Sequence, residues 1–73
     1  MSADNGYIIR QNDEGKVVLQ MYFASASDYP DVNDPDAPTF DTVEQAVDRY
    51  EELDDEYPSE YGLDIRIKRN RGG

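Results

Sequence analysis

The residues that could do chemistry in this sequence are carboxylates and little else. The 73-residue chain has 17 Asp and Glu, 7 Lys and Arg, no His and no Cys, which gives a net charge of −10. Without His and Cys the chain lacks the commonest general base near neutral pH, the thiolate nucleophile and the usual zinc ligands. We therefore predict that it is not an enzyme, needs no cofactor or metal, and acts by binding another protein.

Carboxylates alone could still form a glycosidase-like acid–base pair or a calcium site. An acid–base pair needs a cleft that shifts one pKa, and a chain this short has little room for a deep one. The oxygens of Asp31, Asp34 and Asp36 suggest calcium ligands. However, Pro35 stands at a ligand position of an EF-hand loop, and Val43 stands where a bidentate Glu is needed. Protein binding remains the better interpretation.

The acids are concentrated between residues 28 and 60, where thirteen of them accompany one base, Arg49. In the predicted helix they recur every four residues, a rise of about 6 Å, which is comparable to the gap between neighbouring phosphates. Like charges at this spacing repel each other, and the alternative is a face that serves solubility only. We expect an acidic surface that binds a protein with a basic groove. The predicted partner-binding residues are Asp31, Asp34, Asp36, Glu44, Asp48, Glu51, Glu52, Asp55 and Glu56.

The first half of the chain predicts a β-hairpin followed by an irregular connection. After a polar lead-in at 1–6, apolar residues alternate along 7–24 around a turn that ends at Gly15, as in two antiparallel strands. Residues 25–41 hold three of the four prolines, which exclude a helix there. Such a long acidic connection is usually functional or disordered, and its Tyr29 and Val32 are candidates for contacts with the body.

The second half predicts one helix and one strand. Asp41 is the expected N-cap, a helix follows over 42–57 with Tyr50 and Tyr57 facing the core, and Pro58 ends it. A strand is predicted over 63–68 and a basic tail over 69–73. The chain is thus predicted to be a single α+β domain of β-β-α-β order. Its three-stranded antiparallel sheet, with the last strand beside the first, would carry one amphipathic helix on one face.

Three segments resemble a family of small acidic proteins encoded by phages and prophages. The opening MSADNGYII is similar to the start of that family, in which a hairpin, an acidic amphipathic helix and EYGL-like residues before a final strand follow. Here FDTVEQA at 40–46 and EYGLDI at 60–65 occupy the corresponding places. The resemblance implies a phage origin. Small acidic phage proteins are often inhibitors of host machinery, including anti-CRISPR and anti-restriction proteins, and several of these mimic DNA.

The functional expectation is a non-enzymatic phage-type inhibitor, in its most specific form a DNA mimic that blocks a CRISPR effector. The net charge disfavours direct contact with nucleic acid or anionic membranes. The lack of Cys, of a long apolar run and of a signal peptide favours the host cytoplasm. Two alternatives stay open. One is a structural or accessory phage protein that self-associates as a homo-oligomer through a sheet edge and its tyrosines, and the other is a small regulator that contacts nucleic acid through its basic tail.

Overall fold

The predicted hairpin forms the middle of the sheet. The computed structural model describes residues 4–26 and 28–67. Strand β1 (Asn5–Gln11) pairs antiparallel with β2 (Val17–Phe23) along their whole lengths. The turn between them places Gly15 at a φ of 81°, a conformation that glycine adopts without steric cost. The hairpin is therefore confirmed, although it begins two residues earlier than predicted, inside the supposed lead-in.

Two edge strands complete a mixed sheet of order β3-β2-β1-β4. Strand β3 (Thr39–Phe40) pairs antiparallel with β2, and β4 (Leu63–Arg66) pairs parallel with β1. The small α+β class with one helix is confirmed. The predicted three-stranded antiparallel sheet is wrong, because there are four strands and the last one runs parallel to the first.

The direction of β4 follows from the path of the long connection. Strand β2 ends where the Ala24 N–H donates to the Asp4 carbonyl, and the connection then returns along the sheet to place Thr39 beside Val18. The helix runs back over the length of the sheet, so β4 starts beside Tyr7 and runs in the direction of β1. A connection that stayed at one end of the sheet would have produced the antiparallel strand that the sequence predicted.

Helix α1 (Val43–Glu56) is capped by Thr42, so the predicted cap, Asp41, is wrong. The Thr42 hydroxyl accepts the Gln45 N–H at 3.2 Å, and the Gln45 side chain accepts the Asp41 N–H at 2.9 Å. Thr is a good N-cap, and the Gln completes a capping-box-like exchange. The Asp41 carboxylate instead pairs with Lys16 at 3.4 Å.

The main core lies between α1 and one face of the sheet. Its fully buried members are Tyr7, Ile9, Val17, Leu19 and Ala46. The Tyr50 ring packs edge-on against the Tyr7 ring, with centroids 5.3 Å apart. Tyr57, also predicted to face the core, is 58% exposed, because the helix ends before it.

The opposite face of the sheet is covered by the connection, here called the strap (residues 24–26 and 28–38). Ile8 and Val18 point to that face and are almost completely buried. Burial of both faces explains why the apolar residues of the hairpin run nearly continuously instead of alternating strictly. The fold is thus a helix, a sheet and an irregular strap in three layers.

Two side chains of the hairpin hold the strap in place. Arg10 donates to the Gln20 side-chain oxygen at 2.6 Å and to the Pro30 carbonyl at 2.7 Å. Gln20 in turn donates to the Asp31 carbonyl at 2.7 Å. Burial lowers the pKa of the Arg10 guanidinium. The strap has little regular structure of its own, so these bonds satisfy backbone carbonyls that a strand or helix would otherwise pair.

Gly6 allows a tyrosine to lie across the sheet beneath the strap. A Cβ atom at Gly6 would come within 2.7 Å of the Tyr22 hydroxyl oxygen. With the space open, the Tyr22 ring meets the Tyr29 ring of the strap edge-on, at a centroid distance of 5.2 Å. The predicted role of Tyr29 in attaching the connection is therefore confirmed by its contacts.

The predicted boundaries at the end of the chain differ by a few residues. Strand β4 ends at Arg66, whereas the strand was predicted to reach residue 68. Residue 68 and the predicted basic tail at 69–73 lie outside the described residues. Within the described part of the chain, no helix is long and apolar enough to cross a membrane.

Candidate functional site

The outward side of α1 carries six exposed carboxylates, here called the acidic helix face. Its members are Glu44, Asp48, Glu51, Glu52, Asp55 and Glu56. From first to last they span about 18 Å of helix, a mean axial spacing of about 3.6 Å. One strand of B-DNA carries a phosphate about every 3.4 Å along its axis. The charge per unit length of this face is therefore close to that of a nucleic-acid strand.

The only base on α1 neutralises little of this charge. Arg49 donates to Glu52 at 3.1 Å, and the two side chains are 51% and 70% exposed. Exposed pairs of this kind are weak because water and salt screen them. Within residues 4–26 and 28–67, the other five carboxylates of the acidic helix face form no ion pair or side-chain hydrogen bond, so they contribute little to holding the fold together.

The arrangement of the acidic helix face is unfavourable for the helix itself. Acids four residues apart repel each other by a few tenths of a kcal/mol per pair. The last turn has no basic residue and three acids, Asp54, Asp55 and Glu56, beside the negative end of the helix dipole. Glu44 in the first turn is favourable to the dipole, but the other acids of the face oppose helix stability, which favours a role outside folding.

Two acids outside the acidic helix face, Asp54 and Asp4, accept hydrogen bonds that support the fold, unlike the carboxylates of that face. The half-buried Asp54 accepts the N–H and the hydroxyl of Ser59 at 3.0 and 3.1 Å, which fixes the chain after the helix. Asp4 accepts the Ser25 N–H at 3.0 Å and the Tyr61 hydroxyl at 3.2 Å. This hydrogen bond and the Asp4 charge raise the pKa of Tyr61. Neither acid belongs to the predicted binding set.

The three predicted aspartates of the strap lie on the other side of the sheet from α1. Asp31 and Asp34 each accept the N–H of the second residue on, Asn33 and Asp36, at 2.9 Å. These are Asx-turns, in which a short carboxylate stabilises an irregular backbone. The nine predicted partner-binding residues thus fall into two groups, six together on α1 and three on the strap, and the structure does not join them into one surface.

A cluster of aromatic and basic residues lies on the strap side, and the sequence interpretation missed it. The Arg10 and Arg66 guanidinium groups lie 5.6 and 5.5 Å from the centroid of the Tyr29 ring, within cation–π range. Asp64 bonds the Arg66 Nε at 2.7 Å and raises the pKa of Arg66. Alternation along the last strand, which puts Asp64 and Arg66 on one face, was the only available signal.

Two open clefts flank the strap, and neither holds a catalytic arrangement. One, of about 360 Å³, is lined by Tyr22, Phe23, Ala24, Ala26, Asp28 and Tyr29. The other, of about 560 Å³, is lined by Asn12, Glu14, Asn33, Asp34, Pro35, Ala37 and Thr39. In the part of the chain that the structure describes, no three acidic side chains are placed to hold a metal ion.

The chain matches no protein-family model, no curated protein and no solved structure. No activity can be transferred from a relative, so the functional inference rests on the surfaces themselves.

Proposed function

We propose that this protein is a non-enzymatic inhibitor that binds a nucleic-acid-binding protein through the acidic helix face. The observation that carries the proposal is the row of six exposed carboxylates on α1, at a spacing close to that of phosphates. Among the described residues, only Glu52 of these six has a charged partner, Arg49. Their cost to the helix is offset when a basic partner neutralises them.

Typical free energies of ion pairs indicate how much of the binding free energy the acidic helix face can supply. An exposed ion pair contributes about 0.2–1 kcal/mol, so six pairs give roughly 1–6 kcal/mol. A micromolar complex needs about 8 kcal/mol. The acidic helix face therefore steers and orients the partner, and further contacts complete the affinity. Tyr57, which follows α1 and is 58% exposed, is the aromatic side chain best placed to supply them.

The finer form of the proposal comes from the resemblance to phage-encoded proteins. In that form the partner is a host defence protein with a groove for nucleic acid, such as a CRISPR effector. The inhibitor then acts in the host cytoplasm as a DNA mimic. The strap aspartates, which lie apart from α1, form a separate acidic patch, and we assign the primary contact to the helix.

The test compares two variants with the same net charge. In the first, E44Q, D48Q, E52Q and E56Q neutralise the acidic helix face. In the second, D28N, D31N, D34N and D36N neutralise the strap, and asparagine keeps the Asx-turn acceptors. Each variant changes the net charge from −10 to −6, because four carboxylates are neutralised. The parent and both variants are immobilised, exposed to a nuclease-treated bacterial host lysate, and washed with duplex DNA.

The expected result is that the parent and the strap variant retain the same DNA-binding protein, that duplex DNA releases it, and that the helix variant does not retain it. Equal retention by the helix variant would show that the acidic helix face is not the contact. Loss with both variants would show that net charge alone drives an unspecific attraction.

A second candidate function, a structural or accessory protein that self-associates, is favoured by a different observation. Strand β4 is a sheet edge, and Ile65 on it is 48% exposed. The third candidate, a regulator that contacts nucleic acid through its basic tail, depends on residues 69–73, outside the described part of the chain. The acidic helix face favours the inhibitor over both.

A further inference from the structure

We propose that two copies of this protein pair through the outer edge of β4, antiparallel and centred on Ile65, to form one continuous eight-stranded sheet. The partner is a second copy of this chain, and the contact is independent of the acidic helix face. Three observations carry the inference. One side of the β4 backbone is open, the sequence of the strand is complementary to itself, and the residues whose backbone groups point outward face each other in that self-complementary pairing.

The backbone of β4 has one side open. The Tyr7 N–H donates to the Gly62 carbonyl at 2.9 Å, and Tyr7 stands opposite Leu63 in the parallel pairing. In a parallel ladder this means that even-numbered residues of β4 bond to β1, and that the N–H and C=O groups of odd-numbered residues point away from it. Among the described residues, no backbone group pairs with that outer side.

The sequence of this edge is complementary to itself. In an antiparallel pair centred on Ile65, Asp64 of each copy lies opposite Arg66 of the other, and Leu63 lies opposite Ile67. The apolar side chains Leu63, Ile65 and Ile67 are on the helix side of the sheet, and both charged ones are on the strap side. A two-fold contact requires the same patch to fit itself, and this register joins opposite charges and apolar residues at every position.

The alternation of outward-pointing and inward-pointing backbone groups along β4 is compatible with this register. The odd-numbered residues, whose backbone groups point outward, form the hydrogen-bonded pairs, with about six N–H···O bonds in all. Asp64 and Arg66 then fall in the non-hydrogen-bonded pairs, where facing side chains are closest. A centre at Asp64 or at Arg66 would also pair the outward-pointing backbone groups, but it would set Asp64 opposite Asp64 or Arg66 opposite Arg66, so the charges select the centre at Ile65.

The margin of β4 also exposes an apolar side chain that a second copy would bury. Ile65 is 48% exposed, because α1 packs mainly on β1, β2 and β3 and leaves the β4 margin open. Charged residues on an edge strand usually deter pairing. Here each chain has an ion pair between Asp64 and Arg66, 2.7 Å long, and two copies can exchange their two internal pairs for two pairs between chains. The charges therefore deter other strands but not a second copy.

Mixing two single variants tests the register. The D64R chain carries two basic side chains on the strap side of β4, and the R66D chain carries two acidic ones. Alone, each variant should dissociate about tenfold or more readily than the parent, because both contacts between chains become repulsive. A one-to-one mixture should restore dimers, since every contact then joins opposite charges, although neither chain regains its internal pair. Sedimentation velocity over a range of concentrations measures this, with circular dichroism as the control for folding.

A cross-link provides a second measurement that does not depend on charge. The chain has no Cys, so I65C introduces one thiol, which the two-fold axis places opposite its own copy. The expected Cα separation of about 5.5 Å is suitable for a disulfide. Mild oxidation should link I65C much faster than E14C, an exposed control in the hairpin turn. A monomeric parent at all concentrations, or a mixture that stays monomeric, overturns the proposal, whatever the fate of the acidic helix face.

Discussion

At the scale of single residues, Arg10 attaches the strap to the sheet. It donates to Gln20 and to the Pro30 carbonyl from a half-buried position. We predict that R10M lowers the free energy of unfolding by about 2 kcal/mol, because two partly buried acceptors lose a charged donor while the aliphatic volume is kept. Urea unfolding measures this, and R49M, which removes one exposed pair, should cost about 0.5 kcal/mol or less. Equal losses in the two variants would contradict the assignment.

Tyr7 leads to a prediction about stability at alkaline pH at the same scale. Its side chain is 2% exposed, and its hydroxyl donates to the Tyr57 carbonyl at 3.2 Å. Burial, and then the charge of Asp54, raises the pKa of Tyr7 above its ordinary value of 10.0. The neutral hydroxyl therefore stabilises the folded state fully below pH 10, and this contribution is lost as the pH rises through the raised pKa.

The corresponding prediction concerns the pH dependence of unfolding. Urea midpoints of the parent should fall steeply above pH 10, and those of Y7F should fall less, because phenylalanine cannot ionise. Below pH 9 the difference between the two proteins should be constant and should reflect the lost hydrogen bond alone. Parallel curves above pH 10 would show that ionisation of another group limits stability.

At the scale of elements, local patterns predicted the hairpin and the helix but not how they are connected in space. The alternation around Gly15 specifies two strands, and the apolar stripe of α1 specifies one helix. The direction of β4 depends on where the strap travels, and that is set by Arg10 and Gln20 through contacts distant in sequence. Strand β3 has two residues and therefore no detectable period.

The candidate site was predictable to the same extent. The four-residue spacing places the helix acids on one face whatever the tertiary structure, so the acidic helix face could be read from the sequence. The position of Asp31, Asp34 and Asp36 could not, because it depends on the strap crossing the opposite face of the sheet. The choice between Asp41 and Thr42 as N-cap was not predictable either, because Asp and Thr are both good N-caps and the two residues stand next to each other.

The repulsion among the carboxylates of the acidic helix face leads to a prediction about the stability of the protein. The E44Q, D48Q, E52Q and E56Q variant removes three like-charge pairs at four-residue spacing, two at three-residue spacing and one exposed ion pair. It should therefore be more stable than the parent by about 1 kcal/mol at low salt. The gain should shrink at high salt, where the repulsion is screened. Urea unfolding at two salt concentrations measures both, with the strap variant as the control. A less stable helix variant would mean that these acids support the fold.

At the scale of the whole molecule, both sides of the sheet carry acids, but their surroundings differ. The acidic helix face has one base, Arg49, whereas the strap side combines its aspartates with Arg10 and Arg66, which contact Tyr29 of the strap. The open edge of β4 lies between them. The two proposed contacts therefore use different surfaces, and one copy could use both at once.

Salt separates the two contacts, because it should act on them in opposite directions. Binding to a basic partner should weaken with added salt, since attraction between exposed charges is screened. Pairing of two copies brings together two chains of charge −10. With centres roughly 25 Å apart, their repulsion is on the order of 7 kcal/mol at 0.01 M salt and falls to about 0.7 kcal/mol at 0.15 M. This change exceeds the screening of the two short pairs across the β4 contact.

We therefore predict that the dimer dissociation constant falls by at least about tenfold between 0.01 and 0.15 M salt, by the same screening. Over the same range, the affinity for the captured partner should decrease. Sedimentation velocity measures the first quantity and titration calorimetry the second. A dimer that weakens with salt would mean that opposite charges, and not the backbone bonds and apolar side chains of β4, hold the copies together. A partner affinity that does not change with salt would show that the acidic helix face is not part of the contact.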